Sequence, residues 1–219
     1  MWFVGDVNIL KYHQQKSPMQ IIKINLILKY GKVKKMQTIK IRPELTAIHR
    51  KNISVPLQTI LNNLREEDKI LDYGCGHGYD LNFLKKNGFS IRGFDKYIKT
   101  FSDEDYSKWK YDVIYCFYVL NVIAEESERI EVLSQIKNAL KSSGEVYIAV
   151  RSEHELKRSK SKLNKYKDGV VTSKNTFQKY FSEEDLTSLL ENQFSEYEIK
   201  DIKINKNTIL KHIKPRNFQ

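Results

Sequence analysis

The sequence has few cysteines, no long apolar run and no P-loop lysine motif, and each absence excludes a class of protein. Its 219 residues include two cysteines that form no Cys-x-x-Cys pair, which excludes a disulfide scaffold and a cysteine zinc site. No apolar run approaches the ~20 residues of a membrane span. No basic start precedes an apolar core, as it would in a signal peptide. Gly-Lys-Ser/Thr is absent, so a P-loop is excluded. We therefore expect a cytoplasmic protein with no metal site and no membrane partner.

Acidic residues are also scarce relative to basic ones. Lysine and arginine total 38 against 27 acidic residues, a formal net charge of +11. A surplus of this size suggests a polyanionic partner, most simply nucleic acid. The alternative is a lysine-rich composition shared by a whole proteome, because charge describes association and not fold. The densest block, Arg151–Lys167, carries seven cations without an apolar period, and we predict a mobile surface segment that contacts phosphates.

One stretch, KILDYGCGHGYDLNFL at residues 69–84, organises the chain. It reads as a short apolar strand and the start of an amphipathic helix, joined by three alternating glycines, Gly74, Gly76 and Gly78. Glycine is needed where φ is positive, or where a ligand approaches closer than a Cβ permits. A helix leaving such a loop presents backbone N–H groups to a polar ligand. A strained turn alone would explain the glycines equally well.

Two carboxylates frame this loop. Asp72 precedes the first glycine by two residues, and Asp95 closes the next predicted strand, Phe89–Phe94. A carboxylate at the carboxyl end of the second parallel strand is placed to accept hydrogen bonds from ribose hydroxyls. The spacing therefore predicts a ligand that contains a ribose.

The pattern as a whole predicts one α/β domain with an extension. The domain takes residues 36–219, and residues 1–35 form the extension. The extension is either a real hairpin, with β-prone runs on both sides of Gly31, or sequence upstream of the native start, because Met36 reads like a natural beginning.

Hydrophobic periods and turn residues place the elements of the domain. Only residues 96–110 separate the second strand from the next, too few for a helix, a strand and two loops, so a compact loop is expected there. The predicted helices cover Pro43–Arg65 with a second start near Ser54, Glu125–Leu140 with Ile130 in its apolar stripe, and a segment that begins at Ser182. The predicted strands cover Tyr111–Phe117, Glu145–Val150, Tyr197–Ile204 and Thr208–Ile213.

The acidic residue before Gly-x-Gly-x-Gly, with Asp95 after the second strand, resembles motifs I and II of class I S-adenosylmethionine-dependent methyltransferases. The Gly-x-Gly-x-x-Gly spacing of nicotinamide dehydrogenases does not fit, because Gly78 follows His77 directly. The resemblance implies a Rossmann-like α/β fold with a mostly parallel sheet and a C-terminal antiparallel hairpin, shortened between strands 2 and 4. It also implies S-adenosyl-L-methionine as the cofactor. The residues placed at this cofactor are Asp72, Gly74, Cys75, Gly76, Gly78, Asp95, Lys96, Cys116 and Phe117.

A narrower resemblance is to the DNA phosphorothioation-associated methyltransferases. It rests on five segments in the right order: TAIHR (46–50), LDYGCGHGYD (71–80), GFD (93–95), YVLNVI (118–123) and GVVTSKNTFQKYF (169–181). It implies modification of DNA or RNA in a modification or defence context, and association with a DNA-modification or restriction system. The implied substrate-binding residues are Thr46, Arg50, Phe177 and Gln178, to which the basic block adds Arg151; the implied catalytic residues are Asn121, Lys179 and Tyr180.

Several alternatives stay open at the sequence level. Asn121 would serve equally well as a cap of the following helix, and Phe177 and Phe181 as anchors of the next helix to the core. Cys116 is a poor covalent nucleophile, because Tyr115 stands where cytosine-C5 enzymes carry proline. An Asn/Asp-Pro-Pro-aromatic motif for exocyclic base amines is absent. The chain is thus a nucleic acid methyltransferase, a cofactor-binding accessory or sensor protein without transfer activity, or a small-molecule methyltransferase.

Overall fold

The computed structural model describes residues 21–24, 37–158 and 163–216. The chain divides into two compact units, Met1–Lys40 and Ile41–Gln219. In the first unit, strands β1 (Ile21–Ile24) and β2 (Gln37–Lys40) pair antiparallel. The turn predicted at Gly31 lies outside the described residues. The division of the chain at residue 36 stays a prediction.

The second unit alternates strands and helices. Short 3-10 turns lie at Pro43–Leu45, Leu61–Asn63, Tyr106–Lys108 and Leu120–Val122. In chain order the helices and strands of this unit are α1 (Val55–Ile60), β3 (Lys69–Tyr73), α2 (Tyr79–Lys86), β4 (Ser90–Phe94), β5 (Tyr111–Phe117), α3 (Glu126–Ala139), β6 (Leu140–Arg151), α4 (Glu153–Arg158), β7 (Asn164–Tyr166), β8 (Gly169–Val171), β9 (Phe177–Gln178), α5 (Glu183–Gln193), β10 (Tyr197–Ile202) and β11 (Thr208–Pro215).

Six of these strands form one sheet in the order β10-β11-β6-β5-β3-β4. Strand β3 is parallel to β4 and β5, and β5 is parallel to β6, whereas β11 runs antiparallel to β6 and β10. The predicted mostly parallel sheet with a C-terminal antiparallel hairpin is therefore confirmed. The link between β4 and β5 holds only the turn Tyr106–Lys108, which confirms the predicted shortening. Because parallel strands end at one edge, the residues that follow β3, β4 and β5 meet there.

Both faces of the sheet are covered by helices. Side chains on β5 alternate between two cores: Ile114 and Cys116 pack with residues of α3 and α5, and Val113 and Tyr115 pack with residues of α1 and α2. A strand that is buried on both faces reads as a continuous apolar run. This explains why YDVIYCF predicts a strand with the observed bounds.

Helix α3 presents a different face from the one predicted. Its buried positions are Arg129, Leu133 and Ile136, whereas Ile130 is exposed. The prediction that Ile130 belongs to the apolar stripe was wrong, because it lies one position beyond the buried series. An arginine takes the inner position in its place.

The predicted helix Pro43–Arg65 is interrupted. Residues 46–54 form no helix, and α1 begins only after Ser54, whose Oγ accepts the N–H of Leu57 at 3.2 Å. The predicted second start is thus correct, and the helix before it is wrong. A contact to α2 fixes the end of this segment, because the Ser54 N–H donates to Asp80 Oδ1 at 2.7 Å while the Ser54 backbone itself is extended. No helix in the described part of the chain is long and apolar enough to cross a membrane.

The basic block is more regular than predicted. It contains α4 and β7, two regular elements that the lack of an apolar period did not predict, while its mobility and its contacts to phosphates stay predictions; residues 159–162 lie outside the described ranges. Strand β7 pairs antiparallel with β8, and β8 pairs with β9, which makes a small three-stranded sheet. A two-residue turn, Lys167 (φ 48°) and Asp168, joins β7 to β8. Strands of two or three residues are too short to produce a readable period.

Candidate functional site

The glycine loop, residues 74–78, joins β3 to α2 at the carboxyl edge of the sheet. Gly74, Gly76 and Gly78 have φ of +87°, +53° and +69°, which side chains other than glycine rarely adopt. A Cβ on Gly74 would overlap Val119, and one on Gly78 would lie 2.6 Å from the Phe101 ring. Packing and backbone conformation therefore both require glycine at these two positions.

Gly76 differs from its two neighbours. A Cβ there would meet one neighbour in the described residues, Ala47, at an ordinary 3.4 Å. Protein packing leaves space beside this backbone, which fits the close approach of a ligand.

Asp95 ties the loop to the end of β4. Its Oδ2 accepts the N–H of Gly76 at 3.0 Å, and its Oδ1 accepts the N–H groups of Tyr97 and Ile98 at 2.8 and 2.9 Å. The loop also bonds to the strand itself, because Gly74 N–H donates to Phe94 O at 2.6 Å. A carboxylate has about four acceptor positions, so Asp95 keeps capacity for one hydroxyl group while it fixes two loops.

A buried pair of carboxylates lies behind the loop. Burial, reinforced by the nearby Asp80 carboxylate, raises the pKa of Asp72 well above its usual value. Asp80 itself is satisfied, because it pairs with Arg50 at 3.1 Å and accepts the Ser54 N–H. The hydroxyl of Tyr115 is also buried and has no hydrogen-bond partner in the described residues. The buried polar groups behind the glycine loop can therefore form hydrogen bonds with a charged group of a ligand.

Residues 46–54, the strap, lie against the glycine loop. The His49 ring stacks on His77 with a centroid distance of 3.8 Å and an interplanar angle of 18°. His49 Nδ1 also lies 3.2 Å from the Tyr79 hydroxyl, at hydrogen-bond distance. The predicted substrate residues Thr46 and Arg50 are both in the strap, where the Thr46 hydroxyl donates to Pro43 O at 2.6 Å and Arg50 pairs with Asp80. Both positions thus belong to the segment that lies against the glycine loop, and their role in binding substrate stays a prediction.

The turn after β5 forms the next part of the edge. Tyr118 adopts a positive φ of 62°, which is uncommon for a residue other than glycine and is often found at functional sites. Asn121 is fully buried, and its Nδ2 donates to Gln178 Oε1 at 3.1 Å, while its Oδ1 has no partner in the described residues. The alternative that Asn121 caps α3 was wrong, since Glu125 occupies the N-cap position. A buried hydrogen-bond acceptor without a partner costs stability, and Asn121 Oδ1 belongs to one of the predicted catalytic residues.

Lys179 is engaged elsewhere. Its ammonium group lies 3.0 Å from Asp168 and 3.7 Å from Asp185, and Asp168 also pairs with the buried Arg129. Although burial opposes the change, the two cations hold the pKa of Asp168 below its usual value. The charge of Lys179 thus takes part in an ion-pair network that joins the small sheet to α3 and α5, and its catalytic role stays a prediction.

The aromatic residues of the Phe-Gln-Lys-Tyr segment (residues 177–180) and the following Phe181 differ in burial. Phe177 and Phe181 are fully buried, and Phe177 packs edge-on against Tyr166 with ring centroids 6.3 Å apart. Phe177 therefore cannot stack on a substrate base, and that prediction was wrong; it anchors the small sheet. Tyr180 is partly buried, and burial and then Glu155 raise the pKa of its hydroxyl.

Arg151 lies at the end of β6 on the same side of the edge. Its guanidinium pairs with Glu155 and lies 5.9 Å from the centroid of the Tyr118 ring. The Tyr118 hydroxyl in turn lies 3.0 Å from Thr208 Oγ1 on β11. Arg151 thus borders the turn after β5, although part of its charge is neutralised.

The remaining predicted cofactor residues contribute backbone or packing. The Cys75 thiol is buried and lies 3.8 Å from Phe101 O, and burial raises its pKa. Cys116 is fully buried in the core, and Phe117 stacks on Tyr115 at 4.8 Å. Both faces of β5 are packed, and the placement of these two residues at the cofactor stays a prediction. Lys96 is exposed and lies 3.6 Å from Glu128.

The sequence alone did not indicate Asp80, Tyr115 or Arg129 as important, whereas His49 belongs to a basic cluster with Arg50 and Lys51 that could contact a phosphate or the cofactor carboxylate. Asp80 follows the glycines as the acidic residue in the first turn of α2, which was the available signal. The roles of Tyr115 and Arg129 come from contacts with residues distant in sequence. In the described part of the chain, no three His, Cys, Asp or Glu side chains group closely enough to hold a metal ion.

Solved structures share this fold. The PH0226 protein of Pyrococcus horikoshii is 19% identical with a TM-score of 0.59, over 74% of this chain and 88% of that chain. An S-adenosylmethionine-dependent methyltransferase of Clostridium acetobutylicum is 17% identical with a TM-score of 0.54, over 72% and 87%. A 1,6-didemethyltoxoflavin-N1-methyltransferase of Burkholderia thailandensis is 13% identical with a TM-score of 0.53, over 74% and 77%. At these identities the likeness concerns the fold.

The sequence comparison is more specific. No curated protein matches the chain. Residues 47–193, however, match the profile of the family described as methyltransferase domain, Methyltransf_23. This range includes most of the strap, the glycine loop, Asp95 and the turn after β5. The chain therefore belongs to the methyltransferase domain family.

Proposed function

We propose that this protein is an S-adenosyl-L-methionine-dependent methyltransferase that modifies nucleic acid. The observation that carries the cofactor assignment is the link between the glycine loop and Asp95. Three glycines have positive φ, and the Asp95 carboxylate accepts the Gly76 N–H, so both fix the shape of the loop at the carboxyl edge of the sheet. Both a family match over residues 47–193 and the sheet order support this reading.

The residues at the edge fit the parts of this cofactor. The open side of Gly76 accommodates the methionine and ribose moieties. Asp95 has acceptor capacity left for a ribose hydroxyl. Asp72, buried beside the unpartnered Tyr115 hydroxyl, lies where it can order the loop and receive the amino-acid end. When bound, the cofactor supplies a methyl group activated by a sulfonium.

The chain's own contribution to transfer is positioning. An in-line displacement from an activated methyl group depends mainly on how the acceptor is held, and effective concentration alone can supply most of the acceleration. Asn121 and Gln178 form an amide pair at the edge, in which Asn121 Oδ1 is a buried acceptor with no partner among the described residues. Tyr180, at the end of the Phe-Gln-Lys-Tyr segment, is also partly buried and is the other residue proposed to position the acceptor. No dedicated acid or base is required.

The nucleic acid substrate is supported by charge. The net charge of +11 favours a polyanion, and Arg151 borders the turn that carries Asn121. The five segments shared with the DNA phosphorothioation-associated methyltransferases add a modification or defence context, and a DNA-modification or restriction system as partner. Labelled methyl transfer from S-adenosylmethionine to DNA, tRNA and total RNA tests this proposal. Transfer to none of them, with transfer to small amines or phenols, would refute the substrate class.

A second function is favoured by one observation. Lys179 and Arg50, two of the groups nearest the edge, are neutralised by carboxylates, and Cys116 is buried. A cofactor-binding accessory or sensor protein, which transfers no methyl group, would have such neutralised or buried side chains at this edge of the sheet. Tight cofactor binding by calorimetry without transfer to any acceptor, even in the presence of a DNA-modification complex, would identify this function.

A further inference from the structure

The strap and the glycine loop are joined by an aromatic contact that cofactor chemistry does not require. The rings of His49 and His77 stack at 3.8 Å, and Tyr79 meets His49 edge-on at 6.3 Å with an interplanar angle of 87°. His77 belongs to the glycine loop, and Tyr79 is the first residue of α2. One strap residue therefore contacts both the loop and the helix that follows it.

The strap has few other attachments. Near its start, Thr46 N–H donates to Pro43 O at 3.0 Å, a local bond within the preceding turn. At its end, Arg50 and Ser54 both bond to Asp80 on α2. Between these points, Ala47 lies against Gly76 and Ile48 is 58% exposed. In the described residues, the side-chain contact that attaches the strap to the glycine loop is thus mainly the one made by His49.

We infer that His49 is a positioning residue, which clamps the strap over the glycine loop and thereby keeps the loop in its cofactor-binding shape. The inference rests on the proposed function, because it takes S-adenosylmethionine as the ligand of the loop. His77 and Tyr79 provide the surface that His49 clamps.

Calorimetry with S-adenosylmethionine and S-adenosylhomocysteine tests the clamp. His49→Ala should weaken binding roughly two- to tenfold at pH 8, the range of one lost aromatic pair. His49→Phe keeps an aromatic ring at the stacked position, so it should restore most of the affinity. His154→Ala, at an exposed histidine of α4, is the matched control and should behave as the wild type.

A second readout needs no cofactor. Lys51 is exposed in the strap, so trypsin cleavage after Arg50 or Lys51, mapped by mass spectrometry at one pH, reports release of the strap. The His49→Ala protein should be cleaved several times faster than the wild type and than His49→Phe. Equal cleavage of all three, or unchanged or tighter cofactor binding by His49→Ala, would overturn the inference. A wild-type protein that binds neither ligand would refute the proposed function and the coupling to the cofactor, while the cleavage rates would still decide whether the clamp exists.

Discussion

Replacing Asp168 with alanine is expected to destabilise the fold far more than an ordinary surface substitution. The Asp168 carboxylate is 38% exposed, but its partner Arg129 is only 3% exposed and sits inside α3. Arg129 has one other hydrogen bond, from Nη1 to Ile123 O at 2.8 Å. Without Asp168, a buried guanidinium loses its counter-charge, and Lys179 loses its nearer carboxylate as well.

The magnitude follows from these exposures. Removing one partner of a buried ion pair costs about 3–5 kcal/mol, and water that reaches the half-exposed site argues for the lower end, about 3 kcal/mol. For a chain of this length that corresponds to a melting temperature roughly 6–12 °C lower. The matched control is Asp185→Ala, whose carboxylate is 53% exposed and 3.7 Å from the same lysine. Exposed pairs of this kind contribute about 0–1 kcal/mol.

Urea unfolding of both variants across pH tests the reasoning. The pKa of Asp168 is lowered in the folded protein, so its stabilisation is complete above the unfolded value of about 3.9 and is lost as pH falls through the lower folded value. The difference in unfolding free energy between wild type and Asp168→Ala should therefore shrink below about pH 4. If the two variants lie within 1 kcal/mol of each other at pH 7, the buried cation does not depend on Asp168 and the argument fails.

Three further predictions concern the site and the domain boundary. Asp95→Ala removes the acceptor of three backbone N–H groups and a charge-assisted bond to ribose of about 1.5–3 kcal/mol; calorimetry should record at least a tenfold loss of cofactor affinity, and unchanged affinity would exclude Asp95 from the site. A chain that begins at Met36 should stay folded and bind cofactor by circular dichroism and calorimetry, because the motif-bearing unit begins at Ile41; an aggregated product would contradict this. Tyr180→Phe should slow methyl transfer without changing cofactor affinity, and a full rate would mean that its hydroxyl neither orients nor activates the acceptor.

Local sequence signals were sufficient for the parts of the fold that are encoded locally. The spacing of Gly74, Gly76 and Gly78 predicted positive φ, and all three have it. The helix start at Ser54 and the strand Tyr111–Phe117 follow from a cap and from an apolar run, and both are in place. The signal for each of these features lies within about ten residues of the sequence.

The missed features depend on distant partners. Arg129 looks like a solvated helix residue until Asp168, 39 positions later, is known to pair with it. Phe177 has the composition of a stacking residue, and only the packing of the small sheet shows that its ring is buried. Residues 46–54 have helical composition but form no helix, and the bond that fixes the end of this segment joins Ser54 to Asp80, 26 positions away.

The shortened link between β4 and β5 also affects how copies of this chain meet one another. It leaves β4 at the outer end of the six-stranded sheet, and an uncovered edge strand offers its N–H and C=O groups to strands of other molecules. The link itself covers this edge: Asp103 N–H donates to Gly93 O at 2.6 Å, and the Arg92 guanidinium pairs with Asp103 and lies 4.3 Å over the Trp109 ring. A strand this short, carrying a charge and capped by its own loop, is a poor template for aggregation. Residues 96–110, which are too short to add another strand to the sheet, thus also protect its β4 edge from edge-to-edge association.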